Sequence, residues 1–135
     1  MKKSLILIVL LCQYCFAQQP NIVFLLADDL GYGEIGAYGQ KEIQTPVLDS
    51  LAKAGIRFTN AYAGSPVCSP SRAVLMTGIT SSKNTIRGNQ GYDCKNNRLD
   101  RIPLKPTDIT IAEVLKEAGY QTGFIGKWHL DHPNQ

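Results

Sequence analysis

Asn21-Ile22-Val23-Phe24-Leu25-Leu26-Ala27, ending in Asp28-Asp29, is the stretch that sets the architecture of this chain. After Asn21 the run is wholly apolar and mixes branched and aromatic side chains, as in a strand buried on both faces of a parallel sheet. Downstream, Thr45-Pro46 opens a helix that runs through Ala54 and stops at Gly55. Ile56-Arg57-Phe58-Thr59-Asn60-Ala61-Tyr62 then alternates and reads as the next strand. Strand, helix, strand is the βαβ unit, which predicts an α/β layered fold.

The next element carries the most distinctive residues. In Cys68-Ser69-Pro70-Ser71-Arg72-Ala73-Val74-Leu75-Met76-Thr77-Gly78, Ser69 suits a helix cap, Pro70 the first helical position and Gly78 the stop. Cys68 then sits at the helix mouth with Arg72 one turn further in. The free N–H groups and positive end of such a helix attract an anion. Arg72 adds a rigid fork of donors.

From Ser81 to Lys105 the chain is polar and without period, so it reads mostly as loop. Thr110-Ile111-Ala112-Glu113 is a capping box opening a helix to Ala118, ended by Gly119. Tyr120 to Ile125 returns as a short strand and delivers Gly126-Lys127-Trp128-His129.

Met1-Lys2-Lys3, the apolar run Leu5 to Leu11 and the small Ala17 describe a secretory signal peptide over residues 1–17. The run is too short to span a bilayer. Bulky Leu11 and Tyr14 before Cys12 and Cys15 argue against a lipoprotein anchor. Losing Lys2 and Lys3 brings a net charge of +3 close to neutrality, which favours no nucleic-acid partner. Cys68 and Cys94 remain, too few for a disulfide scaffold, and no Cys/His spacing suggests zinc. In an exported chain the two could simply pair with each other.

Asp28-Asp29, Cys68 to Arg72, and Lys127 with His129 all fall at or near predicted strand ends, where open parallel sheets bind ligands. Beside Gly31 and Gly33, both aspartates can turn toward one hard cation, Ca²⁺ or Mg²⁺. Lys127 and His129 can both reach one small anion from a tight loop.

These motifs together resemble the type I sulfatases, the formylglycine enzymes of the alkaline phosphatase superfamily. The resemblance rests on Cys68-Ser69-Pro70-Ser71-Arg72-Ala73 with Thr77-Gly78, and on Asn21-Ile22-Val23 through Asp28-Asp29-Leu30-Gly31-Tyr32-Gly33. It extends through Thr45 to Ala52, Gly55 to Asn60, Ile86-Arg87-Gly88-Asn89 and Gly126-Lys127-Trp128-His129-Leu130, in the same order. It implies a partial alkaline-phosphatase-like three-layer α/β fold with a mainly parallel sheet, truncated, residues 18–135 forming the N-terminal part of the catalytic domain.

The resemblance also implies chemistry. A sulfate monoester would be cleaved, from an aryl sulfate or a sulfated carbohydrate. Cys68 would be converted by a separate formylglycine-generating or sulfatase-maturating enzyme to an aldehyde. The hydrate of that aldehyde supplies the attacking oxygen and a second hydroxyl that lets sulfate leave. Asp28 and Asp29 would ligate Ca²⁺, with Mg²⁺ as the alternative, and the modified Cys68 would complete part of the shell. Arg72 would hold the hydrate, Lys127 would bind sulfate, His129 would assist proton movement, and Ser71 would support the turn. Cys94 would stay a free thiol. The implied location is periplasmic or extracellular.

The chain departs from the family in length, and Asp131 stands where a glycine is usual. Further metal ligands, a second histidine and a second lysine of the family have no counterpart here. Two other readings therefore accompany the first: a phosphonate or phosphate monoester hydrolase of the same superfamily, and a non-catalytic exported fragment.

Overall fold

The computed structural model describes residues 19–131. The expected signal peptide, residues 1–17, lies outside them, as do His132 to Gln135. The chain divides into two compact units, Met1–Leu30 and Gly31–Gln135.

In the first unit, the apolar run Asn21 to Ala27 forms no hydrogen-bonded strand, and its large side chains are exposed, Leu25 at 80%. Residues 28 and 29 form a bend, with Asp29 at φ 57°. That left-handed backbone is uncommon outside glycine, although aspartate is among the residues that tolerate it.

Among the described residues, the second unit holds three α-helices and one hairpin. Two short 3₁₀ turns, Tyr32–Glu34 and Gly36–Tyr38, precede helix α1, Pro46–Ala54. Thr45 is the N-cap residue, Pro46 opens the helix and Gly55 ends it by donating to Leu51 O at 2.9 Å, as the sequence predicts. Asp49 ties the turns to this helix. Its Oδ1 accepts from Ala37 N at 2.6 Å and from Thr45 Oγ1 at 3.1 Å, while Gly36 N donates to Thr45 Oγ1 at 2.8 Å. A Cβ at Gly36 would meet Asp49 Oδ1 at 2.8 Å, so the carboxylate that ties the turns to the helix would have to shift.

Helix α2, Cys68–Thr77, starts one residue before its expected cap. Val67 is the N-cap residue and makes no side-chain cap bond, so Ser69 and Pro70 lie inside the first turn. Pro70 is harmless there, since the N–H groups of a first turn have no intrahelical partner. Gly78 closes the helix at φ 67°, its N–H on Val74 O at 2.8 Å.

Helix α3 spans Ile111–Glu117 and opens with the expected capping box: Thr110 Oγ1 accepts from Glu113 N, and Glu113 Oε2 accepts from Thr110 N at 2.7 Å. Helices α2 and α3 are in contact.

The sheet differs from expectation. Among the described residues it is a two-stranded antiparallel hairpin, β1 Gly91–Asp93 with β2 Arg98–Asp100. Ile56 to Tyr62 and Tyr120 to Ile125 form no ladder, and Ile56 and Ile125 are 82% and 101% exposed. Strands meant to be covered on both faces need neighbours on both edges, and the described residues supply none. The hairpin itself falls within the region read as loop. Asn97 at φ 53° makes its turn, and Asp93 braces it by accepting from Lys95 N at 2.9 Å and Asn96 Nδ2 at 2.6 Å.

The buried apolar core is small. Ala73, Ile86 and Leu130 form it, with Met76, Ile102, Leu104 and Trp128 packed around them.

Candidate active site

Helix α2 supplies Cys68 and Arg72, which are four residues apart and so share one face. Cys68 is half-buried, and the first two turns around it are the most buried part of the chain: Ser69 is 3% exposed, Arg72 9% and Ala73 0%. Cys68 and Cys94 are both free, Cys94 lying exposed in the hairpin loop.

Arg72 reaches across 55 positions. Its Nη1 donates to Lys127 O at 2.6 Å, which fixes the Gly126–Leu130 loop against α2. A charge-assisted bond of this length is about twice as strong as a neutral one. The loop is shaped by two left-handed residues, Gly126 at φ 113° and His129 at φ 62°. It is anchored beyond them by buried Leu130, whose carbonyl accepts from Leu104 N at 2.9 Å. Between the bends, Trp128 is half-buried and meets Phe124 edge-to-face at 5.3 Å. Lys127 itself is exposed and His129 is half-buried.

Thus the structure brings Arg72 onto the backbone of Lys127, two residues from His129. A non-glycine residue held at positive φ costs roughly 1–2 kcal/mol, and such positions cluster where side chains must be aimed. Helix α2 thus carries Cys68 and Arg72 one turn apart, and Arg72 ties the Lys127–His129 loop to it through the Lys127 carbonyl. Asp28 and Asp29 end the first unit, exposed and adjacent, with Asp29 in the left-handed bend. Their carboxylate oxygens are the donors a hard divalent cation takes, and two of them fill only part of its six or more positions. The donor chemistry fits, and the shell is incomplete within this pair.

Asn84 and Asn89 carry roles that the sequence reading did not assign. Asn84 is 4% exposed; its N–H bonds Thr80 O at 2.9 Å, its Oδ1 accepts from Ile86 N at 3.0 Å, and its Nδ2 donates to Thr77 Oγ1 at 3.3 Å. Asn89 Oδ1 accepts from Ser69 N at 3.0 Å, one residue from Cys68. The available signal was Val67, a poor capping residue directly before an important helix.

No helix among the described residues is long and apolar enough to cross a membrane.

Comparison with known proteins places these features. The sulfatase family model matches residues 20–135. The chain is 44% identical over 114 residues to N-acetylgalactosamine-6-O-sulfatase of Bacteroides thetaiotaomicron, covering 84% of this chain and 21% of that protein. It is 43% identical over 125 residues to human arylsulfatase A, covering 93% and 24% respectively. A solved Bacteroides thetaiotaomicron structure, from work on the metabolism of multiple glycosaminoglycans, superposes with a TM-score of 0.72 at 41% identity, covering 84% of this chain and 22% of the other. The chain spans about a fifth of the length of the curated relatives it matches. With the sulfatase family model matched over residues 20–135, the chain belongs to the sulfatase family.

Proposed function

We propose that this chain carries the nucleophile half of a sulfuric ester hydrolase, which turns a sulfate monoester and water into an alcohol and sulfate. The observation that carries the reading is Arg72, held by Lys127 O at 2.6 Å one turn from Cys68, within a chain of the sulfatase family. Cys68 is the residue to be converted to formylglycine, whose hydrate supplies the attacking oxygen. Asp28 and Asp29 would hold Ca²⁺ or Mg²⁺ together with modified Cys68, and a bound cation screens sulfate oxygens and lowers the pKa of a bound hydroxyl.

The remaining roles belong to side chains present in the chain. Arg72 holds the hydrate hydroxyls through its guanidinium. Lys127 places an ammonium near the equatorial oxygens, where charge spreads as sulfur is attacked. His129 moves the proton that the hydrate must lose. Aryl sulfates and sulfated carbohydrates are both candidate substrates, since arylsulfatases and an N-acetylgalactosamine-6-O-sulfatase stand among the relatives at similar identity.

In this reading residues 1–17 form a signal peptide, the protein is exported to the periplasm or beyond the cell, and a maturation enzyme is its modifying partner. The unpaired apolar segments at 21–27, 56–62 and 120–125 belong to a mainly parallel sheet of the alkaline-phosphatase type.

The test is tandem mass spectrometry of the Cys68 peptide after export beside a maturation enzyme. Loss of the thiol and gain of an aldehyde on Cys68 supports the reading. A Cys68–Cys94 disulfide in exported material would sink it. For a protein of the relatives' length that contains these residues, a panel of aryl sulfate, sulfated sugar and phosphonate esters separates sulfate from phosphorus specificity.

A further inference from the structure

The N–H groups of a helix's first turn must be satisfied from outside, and the residue before the helix usually does so. Helix α2 lacks that provision: Val67 has no polar side-chain atom, and Pro70 has no N–H to offer. The Ser69 N–H, within a residue only 3% exposed, instead finds its acceptor 20 positions away, in Asn89 Oδ1 at 3.0 Å. The cap of the cysteine-bearing turn is imported.

It is imported by a segment that is itself clamped along the helix. At the far end of α2, buried Asn84 donates to Thr77 Oγ1 at 3.3 Å, and Thr77 Oγ1 donates to Ala73 O at 2.7 Å. In the middle, Ile86 and Ala73 are fully buried in one cluster. At the near end stands Asn89. Residues 84–89 therefore run antiparallel to α2 as a strap touching Thr77, Ala73 and Ser69 in turn. The lengths agree: eight helical residues rise roughly 12 Å, which lies within the roughly 17 Å that five steps of chain can span at most, the bends at Thr85, Gly88 and Asn89 shortening the segment.

We propose that Asn89 is a positioning residue for Cys68: by capping Ser69 from the strap, it sets where the first turn of α2 begins and so where the sulfur is presented. The consequence for hydrolysis rests on the sulfatase reading. The positioning itself does not. A local cap at Val67 would tie the turn only to the residues beside it, whereas the strap ties it to the core through Ile86.

The test uses the full chain with Cys68 as a thiol, comparing the parent with Asn89→Ala and Asn89→Asp. Amide exchange is read at Ser69 and, as a control at the far end of α2, at Gly78. Iodoacetamide alkylation is read at Cys68 against Cys94. In Asn89→Ala, exchange at Ser69 rises about fivefold or more, the equivalent of one net hydrogen bond. Alkylation of Cys68 changes while that of Cys94 and exchange at Gly78 hold. Asn89→Asp keeps an acceptor at the same reach and returns Ser69 to slow exchange.

The proposal is overturned if Ser69 and Cys68 in Asn89→Ala behave as in the parent. It is equally overturned if Gly78 accelerates as much as Ser69, which would make Asn89 a general fold residue. Should Asn89→Ala not fold, Asn89→Asp decides: parent-like exchange at Ser69 supports the cap and faster exchange removes it. None of these readouts needs hydrolysis, so failure of the cap and failure of Cys68 to become an aldehyde are separate results.

Discussion

Arg72 shows how one side chain can serve structure and chemistry together. Its Nη1 donates to Lys127 O at 2.6 Å, so the loop that presents Lys127 and His129 is held by an arginine one helical turn from Cys68. Arg72→Ala should therefore loosen Gly126 to Leu130 before it affects anything else, at about 1.5–3 kcal/mol for the lost charge-assisted bond. Trp128 reports this directly, being the only tryptophan in the sequence and packed edge-to-face on Phe124 at 5.3 Å. Its emission should shift to longer wavelength in Arg72→Ala; an unchanged spectrum would mean that Leu130 alone anchors the loop. His129 makes a second residue-level case. At φ 62° it occupies a region asparagine enters readily and a β-branched residue does not. His129→Asn should leave amide exchange at Leu104, whose N–H holds the loop at Leu130 O, near the parent's, whereas His129→Val should speed it about tenfold, the equivalent of about 1–2 kcal/mol. Equal exchange in the two variants would show that the loop can leave the left-handed conformation freely.

At the scale of elements, the capping box of α3 predicts a pH response with a definite sign. The Thr110 backbone N–H and then its hydroxyl hold the Glu113 carboxylate, which lowers its pKa below the ordinary 4.5. The unfolded glutamate therefore takes up a proton first as the pH falls. The stabilisation is complete above the ordinary value and is lost as the pH drops through the lower folded value. Carboxyl chemical shifts should show Glu113 titrating below its ordinary range, and Thr110→Ala, which removes the hydroxyl but keeps the backbone N–H, should move it only part of the way back up. No movement in that variant would leave the hydroxyl without a part in the shift. Because Glu113 is exposed, added salt should weaken the effect.

The same element shows what the sequence makes legible. A Thr-x-x-Glu box is completed within four residues and a Pro–Gly bracket within the ten from Pro46 to Gly55, so both are local chemistry, and α3 and α1 form almost where the sequence predicts. Helix α2 was misread at its start because its cap is not local: Val67 gives no signal, and Asn89 lies 20 residues downstream. The hairpin was missed for a related reason. Strands of three residues carry too little alternation to register, and the turn depends on an aspartate bracing it and an asparagine at positive φ. At the site, Cys68, Arg72, Lys127 and His129 were visible as residue types. That Arg72 grips the Lys127 carbonyl was not, since no spacing encodes a contact across 55 positions.

For the whole molecule, the decisive comparison is between what is buried and what is not. Three apolar side chains, Ala73, Ile86 and Leu130, make up the buried core of the described residues. Against them stand Val23 and Leu25 at 80% exposure, Ile56 at 82%, Tyr62 at 88% and Ile125 at 101%. Burial of each large apolar side chain is worth about 1.5–3 kcal/mol, so leaving this many in water forgoes most of what holds a domain together. These side chains are concentrated in segments patterned as strands, and the chain spans about a fifth of the length of the curated relatives it matches. Expressed alone, the 135-residue chain should consequently bind a hydrophobic dye strongly and melt without a sharp transition. Helices α1 and α3 should persist, because their caps are local. The strap over α2 should be the most protected region, because Ile86 and Ala73 are the best buried apolar pair. Calcium addition should not sharpen the melt, as Asp28 and Asp29 offer only part of a coordination shell. A cooperative, calcium-sensitive transition with little dye binding would contradict this: it would show that the apolar segments find partners within the chain itself.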